Sequence, residues 1–461
     1  MAASRGEFEF VLNGRAVSFD GEAPQTTLLD FVRSRGLTGA KEGCAEGECG
    51  ACSVLMISPD SGGSQYRAVN SCLIPLPAVA HREVLTVEAF GGKQDAQRRM
   101  AECGGSQCGY CTPGFIVSMV AEQYRAKDGA CDFHALGGNL CRCTGYRPIR
   151  EAVESLGPAP EGPLKQRLRN PAGPLKEFRY SSAKGRFSRP ASLSECFELA
   201  EDPSARFVAG NTDLGIATNL RGERFAHLIS IDGLAELRDF SETTSTIEIG
   251  AGLTLSEVAD TWHHGVFHDW LPLFASLPIR NRATLGGNLA TASPIGDSAP
   301  LLLALNAEVR LISKNGERLM PLEEFFVGYR QTALATGELL HSMRIPKPLP
   351  EAVRFYKVAK RRMDDISTVA AAIAMTRDSS GRVEFARMAF GGVAATPWLA
   401  RETESILAGT RFDAGDLRRV EELLRNTLKP IGDHRGSAAY RLAMAQSLAG
   451  KFRHEVFRDA A

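Results

Sequence analysis

The chain has no surplus of charge, with 54 basic residues against 54 acidic ones among 461. That balance argues against the large basic surface that nucleic acid or an anionic membrane demands. Long apolar runs are missing too, since no stretch reaches the roughly 18 apolar residues of a spanning helix. The opening residues, MAASRGEFEFVLNGRAVSF, lack the apolar core of a secretory signal, so a cytoplasmic chain with no membrane attachment and no nucleic-acid partner is expected. No GxGxxG follows a strand pattern beyond residue 160, which leaves a Rossmann dinucleotide site unsupported. Cysteine is scarce after Cys143, where only Cys196 remains; the other ten of eleven fall between Cys44 and Cys143. In a reducing compartment such crowding signals metal or redox chemistry rather than disulfides.

The length suits about three domains, at roughly 100 to 200 residues each. Residues 7 to 19 read as two strands joined by Asn13-Gly14, a strong hairpin signal. Thr26 to Arg35 reads as an amphipathic helix ending near Gly36, and Ala51 to Ile57 and Tyr66 to Val69 as further strands, giving a small mixed sheet with one helix. From Thr86 to Ser155 the pattern turns helical, with Phe115, Ile116, Met119 and Val120 at helix spacing and Thr112-Pro113 read as a cap followed by Pro at the first position. Residues 157 to 184 are rich in Pro, Gly, Lys and Ser and read as a linker. Strands and helices alternate from Arg186, with a shorter break at Ile345-Pro-Lys-Pro-Leu-Pro350. The ranges expected are therefore 1–85, 86–156, a linker over 157–184, 185–346 and 347–461.

Cys44, Cys49 and Cys52 show Cx4Cx2C spacing and Cys72 follows, the plant-type ferredoxin pattern for a 2Fe-2S cluster. Gly43, Gly47 and Gly50 among them let backbone fold tightly and aim N–H groups at sulfur. A second set is Cys108 and Cys111, in GSQCGYCTPG, with Cys141 and Cys143, in GNLCRCTG. Cys108 and Cys111 are expected to point the same way ahead of a helix whose dipole favours thiolate. Four cysteines also suit structural zinc, which stays open for each set. Cys103, Cys131 and Cys196 lack partner spacing and read as ordinary packing residues. His263, His264 and His268 form the only His gathering, broken by Gly265 and weak as a metal site.

In the second half, Arg206 to Gly215 reads as a strand entering the turn Gly210-Asn211-Thr212-Asp213 and then a helix, an arrangement whose backbone N–H groups suit a pyrophosphate. Phe274 to Asp297 contains Gly286-Gly287 flanked by Thr284 and Asn288, suggesting close approach of backbone to a ligand. Each segment alone also fits an ordinary capped turn. No pairing of nucleophile and base is evident, so no catalytic acid or base is expected here.

The strings EGCAEGECGACSV, GSQCGYCTPG and GNLCRCTGYRPI resemble those of the xanthine dehydrogenase and aldehyde oxidase family of molybdenum hydroxylases. The resemblance covers essentially the whole chain. It implies an α+β multidomain protein, built of a β-grasp plant-type 2Fe-2S ferredoxin domain, a helical-bundle 2Fe-2S domain, an α+β FAD-binding domain of the vanillyl-alcohol oxidase type and a C-terminal α+β flavoprotein subdomain. It also implies FAD contacts from Phe207, Val208, Ala209, Gly210, Asn211, Thr212, Asp213 and Leu214 at the pyrophosphate, and from Thr284, Gly287 and Asn288 at the diphosphate and ribityl chain. Asp297 is implied on the adenosine side, Phe274 beside the isoalloxazine ring and Ile366, in KRRMDDIS, touching the ring through its backbone. Arg401 corresponds to a family Lys across a gap, and Gln107 to the tract toward molybdenum. The family's molybdenum cofactor has no room in this length. The resemblance thus implies the small subunit of a bacterial two-subunit enzyme. That subunit passes electrons from molybdenum on a large partner chain through both clusters to FAD and then NAD, in a heterotetramer of two small and two large chains that oxidises hypoxanthine or xanthine to urate. A counterpart acting on aldehydes or aromatic rings, a stand-alone NADH diaphorase and a zinc scaffold remain alternatives.

Overall fold

The computed structural model describes residues 9–126, 129–262 and 265–457. Its contacts divide the chain into two units, one running to Leu234 and including Ala275–Ala283, the other made of Ala235–Phe274 and the residues from Thr284 onward. The expected range 185–346 is therefore divided. Within the first unit Asn281 explains why: its amide donates to the Ala68 carbonyl at 2.8 Å while its oxygen accepts from Arg67 at 3.1 Å.

The first unit opens on β1 (Glu9–Leu12) and β2 (Arg15–Ser18), joined by Asn13 and Gly14 at φ 53° and 78°, the left-handed pair of a type I′ hairpin. Helix α1 (Leu28–Ser34) starts where the Thr27 hydroxyl accepts the Asp30 N–H at 3.0 Å, and Gly36 at φ 82° turns the chain away. It buries Leu28, Leu29, Phe31 and Val32, each worth about 1.5–3 kcal/mol when removed from water. With β3 (Ser53–Asp60), β4 (Gly63–Asn70) and β5 (Glu83–Leu85) the sheet runs β2-β1-β5-β3-β4, parallel only between β1 and β5.

Helices α2 (Asp95–Glu102), α3 (Thr112–Arg125) and α4 (Arg147–Glu154) form the helical part, with α3 almost wholly buried. Cys111, not Thr112, occupies the cap of α3, because the Thr112 hydroxyl donates to Ser106 Oγ at 2.8 Å instead of capping. The range 157–184, expected as a linker, carries regular structure. It holds α5 (Pro163–Leu168), whose Leu164 carbonyl accepts from the Tyr66 hydroxyl at 2.9 Å, and β6 (Phe178–Ser182), which buries alternate Phe178 and Tyr180 beneath a polar composition.

Strands β6, β7 (Gly185–Arg189), β8 (Ala205–Val208) and β9 (His227–Ser230) lie in the order β6-β7-β9-β8, with β7, β9 and β8 parallel. Helices α6 (Leu193–Leu199) and α7 (Leu214–Arg221) make the crossovers that parallel pairing requires.

In the second unit, an antiparallel sheet runs in the order Phe240–Glu242, Thr246–Gly250, Leu339–Pro346, Glu308–Ser313, Gly316–Pro321. A second antiparallel sheet of Ala352–Val358, Val369–Arg377, Val383–Gly391 and Trp398–Leu399 shares its core with the helices Glu402–Leu407, Ala414–Thr427 and Ala438–Val456. Among the described residues, no helix is long and apolar enough to cross a membrane.

Arg189, at the end of β7, is fully buried and donates to the carbonyls of Ala78 at 2.8 Å and Ala80 at 3.1 Å; burial brings its pKa down to about 10. Arg189→Met strands both carbonyls and should cost about 2–5 kcal/mol, read as a lower urea midpoint. His227 is buried on β9, with Nε2 2.9 Å from Ser188 Oγ and Nδ1 3.0 Å from Asp202. Burial, with Arg186 and Arg179 nearby, outweighs Asp202 and holds its pKa below the usual 6.5. The unfolded chain therefore binds more protons below that value, so this stabilisation is complete above pH 6.5 and is lost as pH falls through the folded value. Melting temperatures should decline on acidification from about pH 7.5 to about pH 5, and less steeply in His227→Gln; identical slopes would exclude His227 as the source.

Candidate metal centres and flavin-binding residues

The first cysteine set is carried by the loop between α1 and β3 and by Cys72 just beyond β4. Its glycines are required by crowding: a Cβ on Gly43 would lie 2.8 Å from Cys49 Sγ, and one on Gly47, at φ 85°, would lie 2.7 Å from Leu73 and Ile279. The thiols form two pairs. Cys44 meets Cys49, and Cys52 Sγ lies 3.3 Å from Cys72 Sγ. A shared proton lowers one thiol of each pair and raises the other: Cys44 falls to about 5 while Cys49 rises, and Cys52 falls while Cys72 rises. Backbone N–H groups of Glu46, Cys49 and Glu48 converge on Cys44, that of Ala51 on Cys49 and that of Gly47 on Cys72. Donors so aimed stabilise negative sulfur.

The second set is paired across its two motifs. Cys108 meets Cys143 and Cys111 meets Cys141, so the two CxxC thiols do not act as one pair. Burial and the Cys141 contact push Cys111 up to about 12, while the Tyr110 N–H and Cys143 lower Cys108. Burial would also raise Cys141, but the Thr144 hydroxyl at 3.1 Å and N–H at 3.4 Å bring it down. Cys108 and Cys143 are exposed, as is Gln107. Among the described residues no three His, Cys, Asp or Glu side chains converge as one ion requires. Two thiol pairs per set instead suit two iron atoms with two thiolates each, which favours the 2Fe-2S reading over single zinc.

One backbone hydrogen bond connects the sets. Leu140, bonded covalently to Cys141, donates its N–H to the Cys49 carbonyl at 3.0 Å. Close packing holds it: a Cβ on Gly114 of α3 would lie 2.2 Å from the Gly50 carbonyl, which also accepts from Asn139 at 3.3 Å. The Ser118 hydroxyl donates to Asn139 Oδ1 at 2.7 Å, and Tyr110 donates to the Glu42 carbonyl.

The three spare cysteines stand apart from these pairs. Cys103 and Cys131 pack against the helical core, and Cys196 is fully buried in α6. His263 and His264 lie outside the described residues, and His268 is exposed beside Asp269.

In the first unit the loop after β8 sits at the carboxyl ends of parallel strands, where α/β sheets bind ligands. Val208 and Gly210 are buried, and Phe207, Ala209, Thr212 and Leu214 half-buried. A Cβ on Gly210 would lie 1.9 Å from the Arg282 carbonyl, so the loop packs backbone to backbone. Asn211, at φ 63°, donates to the Leu73 carbonyl at 2.7 Å, and Asp213 stands at the N-cap position of α7 without a side-chain capping hydrogen bond.

The second unit carries the remaining residues. Thr284 caps the helix Leu285–Ala290 and accepts from the Gly287 N–H at 3.0 Å. A Cβ on Gly286 would strike Ala251, whereas one on Gly287 would meet only Thr284 Oγ1, at 2.8 Å. Asn288 accepts from the Ser298 hydroxyl. Asp297 is buried, with Lys357 Nζ at 2.9 Å on one oxygen and Ser367 Oγ at 2.5 Å on the other. Lys357 also donates to the Leu273 carbonyl at 2.8 Å, so it ties Asp297 to the residue before Phe274. Phe274 meets Trp270 edge-on, with centroids 5.7 Å apart. Ile366 is exposed and donates its N–H to Asp365, while Arg401 is exposed and pairs with Glu323 at 3.3 Å. Lys357 was not singled out from sequence, since a lone Lys in a strand pattern carries no signal.

Residues 10–76 match a 2Fe-2S iron-sulfur cluster binding domain, 86–154 a [2Fe-2S] binding domain, 178–348 the FAD binding domain in molybdopterin dehydrogenase and 354–456 the CO dehydrogenase flavoprotein C-terminal domain. The xanthine dehydrogenase of Emericella nidulans is 32% identical over 97% of this chain and 38% of its own length. Xanthine dehydrogenase 1 of Arabidopsis thaliana is 34% identical over 91% and 37%. The chain thus spans about two fifths of the length of these relatives. A carbon monoxide dehydrogenase structure from Hydrogenophaga pseudoflava matches at 28% identity and TM-score 0.55, over 57% of this chain and 94% of that one. Quinoline 2-oxidoreductase from Pseudomonas putida 86 matches at 27% and 0.53, over 59% and 95%.

Cys72→Ser should remove about half the bound iron and one of two paramagnetic signals, and Cys143→Ser the other. Cys103→Ser should retain both; persistence of both signals in either ligand variant would refute the assignment.

Proposed function

This chain belongs to the molybdenum hydroxylase family, and we propose that it is the electron-transfer subunit of a two-subunit xanthine dehydrogenase. In this reading a larger partner chain holds the molybdenum cofactor and oxidises hypoxanthine or xanthine, and NAD is the final acceptor. The observation that carries it is the pair of cysteine quartets joined by the Leu140–Cys49 hydrogen bond, in one unit with the loop 207–214. When bound, 2Fe-2S clusters carry single electrons and FAD collects two for delivery as hydride.

The chain's own residues have defined tasks. Cys44 with Cys49, Cys52 with Cys72, Cys108 with Cys143 and Cys111 with Cys141 would each hold one iron. The N–H groups around them offset the charge of the thiolates. Residues 207–214 would offer backbone to the FAD pyrophosphate, and Thr284, Gly287 and Asn288 would serve the diphosphate and ribityl chain. Asp297 would meet the adenosine side with lone pairs that Lys357 and Ser367 leave free. Phe274 would pack beside the isoalloxazine ring, with Ile366 and Arg401 at its margins. The assembly proposed is a cytoplasmic heterotetramer of two small and two large chains.

Xanthine is preferred as the substrate because the relatives named for it match at 32–34% identity along nearly the whole chain. The equivalent subunit of another molybdenum hydroxylase is the second reading, favoured by the carbon monoxide dehydrogenase and quinoline 2-oxidoreductase folds. Purification of the tagged chain from its native cell decides between them. A molybdenum-containing partner with xanthine-dependent NAD reduction is expected. A partnered complex that ignores xanthine but oxidises another substrate would favour the second reading, and a lone chain oxidising NADH would make it a diaphorase.

A further inference from the structure

Asn211, Gly215 and Asn219 recur every fourth residue and so share one face of α7 and the turn before it. That face lies on the segment carrying Cys72. A Cβ on Gly215 would stand 3.1 Å from the Leu73 side chain and 3.0 Å from the Asn211 amide, so any larger residue would press on both. Asn211 donates to the Leu73 carbonyl at 2.7 Å. Asn219 donates to two carbonyls, those of Ala45 and Cys72, each at 2.8 Å. An amide group has two N–H donors, and here both are spent on the cysteine loop.

The two carbonyls belong to different limbs of the site. Ala45 follows Cys44 and adopts φ 59°, a left-handed conformation that is strained for a residue with a Cβ. Its carbonyl is thereby turned onto Asn219. One side chain thus bridges a limb from each thiol pair, Cys44 of one and Cys72 of the other. We infer that Asn219 is a positioning residue for the first cysteine quartet, and that its N–H dipoles raise the reduction potential of the cluster held there. The inference rests on the two-cluster reading above. These bonds reach carbonyls beside the ligands rather than the sulfurs themselves; they orient the ligand segments, and positive N–H ends held in the loop that carries Cys44 and Cys72 favour the more negative, reduced state. Asn219 also lines an open cavity of about 310 Å³ with Thr27, Glu42, Ala45, Cys72 and Arg224, so its truncation admits water rather than collapsing an apolar core.

The test is a redox titration of the holo chain followed by electron paramagnetic resonance. In Asn219→Ala, the signal that Cys72→Ser abolishes should titrate at lower potential, with its reduced fraction at fixed potential several-fold smaller. The signal that Cys143→Ser abolishes should not move, and Asn219→Gln should restore part of the shift. Full iron content with an unmoved first signal would overturn the inference. Should Asn219→Ala fail to load iron, Gly215→Ala, which presses α7 away from Leu73, should shift the same signal, and an unshifted signal there would overturn it equally. An iron-free wild-type chain would instead sink the cluster reading itself, and this inference with it.

Discussion

The first unit depends on the hydrogen bond from the Leu140 N–H to the Cys49 carbonyl. It ties the Cys49 backbone of one cysteine set to the residue preceding Cys141 of the other. The surrounding residues serve that contact. Gly114 removes the side chain that would hold α3 off the Gly50 carbonyl, Gly50 removes the one that would strike Gly138 and Asn139, and Asn139, fixed by Ser118, adds a donor to the Gly50 carbonyl beside those of Ser53. Short connections of this kind matter for a carrier of single electrons, because the relative placement of two centres is the property the protein must supply.

A similar economy appears in the buried cations. Arg189 in the first unit and Arg441 in the second are both almost fully buried, and each gathers carbonyls from segments distant in sequence. A guanidinium presents five donors in a fixed fork, so one side chain satisfies several loops that cannot join a sheet. The cost of burying the charge is offset only while every carbonyl stays in place, which makes these positions unforgiving.

Much of this arrangement was legible in the sequence, and the parts that were not share a cause. Cysteine spacing pointed to both sets because their thiols cluster locally along the chain, and Asn13-Gly14 revealed its hairpin because the turn needs two left-handed residues. The crossed pairing of Cys108 with Cys143 and Cys111 with Cys141 was hidden, since it depends on how two separate loops meet. The segment 157–184 read as linker from its composition, yet Phe178 and Tyr180 were sufficient to bury a strand. Asn219 carried no sequence signal, and only the fold shows it, with Asn211, spent on carbonyls beside Cys72.

The central claim is that eight cysteines hold two separate iron-sulfur centres in one chain. Iron, acid-labile sulfide and zinc quantified on the purified protein, with spin counting of the dithionite-reduced sample, test it most directly. The account predicts about four iron and four sulfide per chain and two distinguishable signals of about one spin each. Zinc at either set, or a single paramagnetic species, would contradict it.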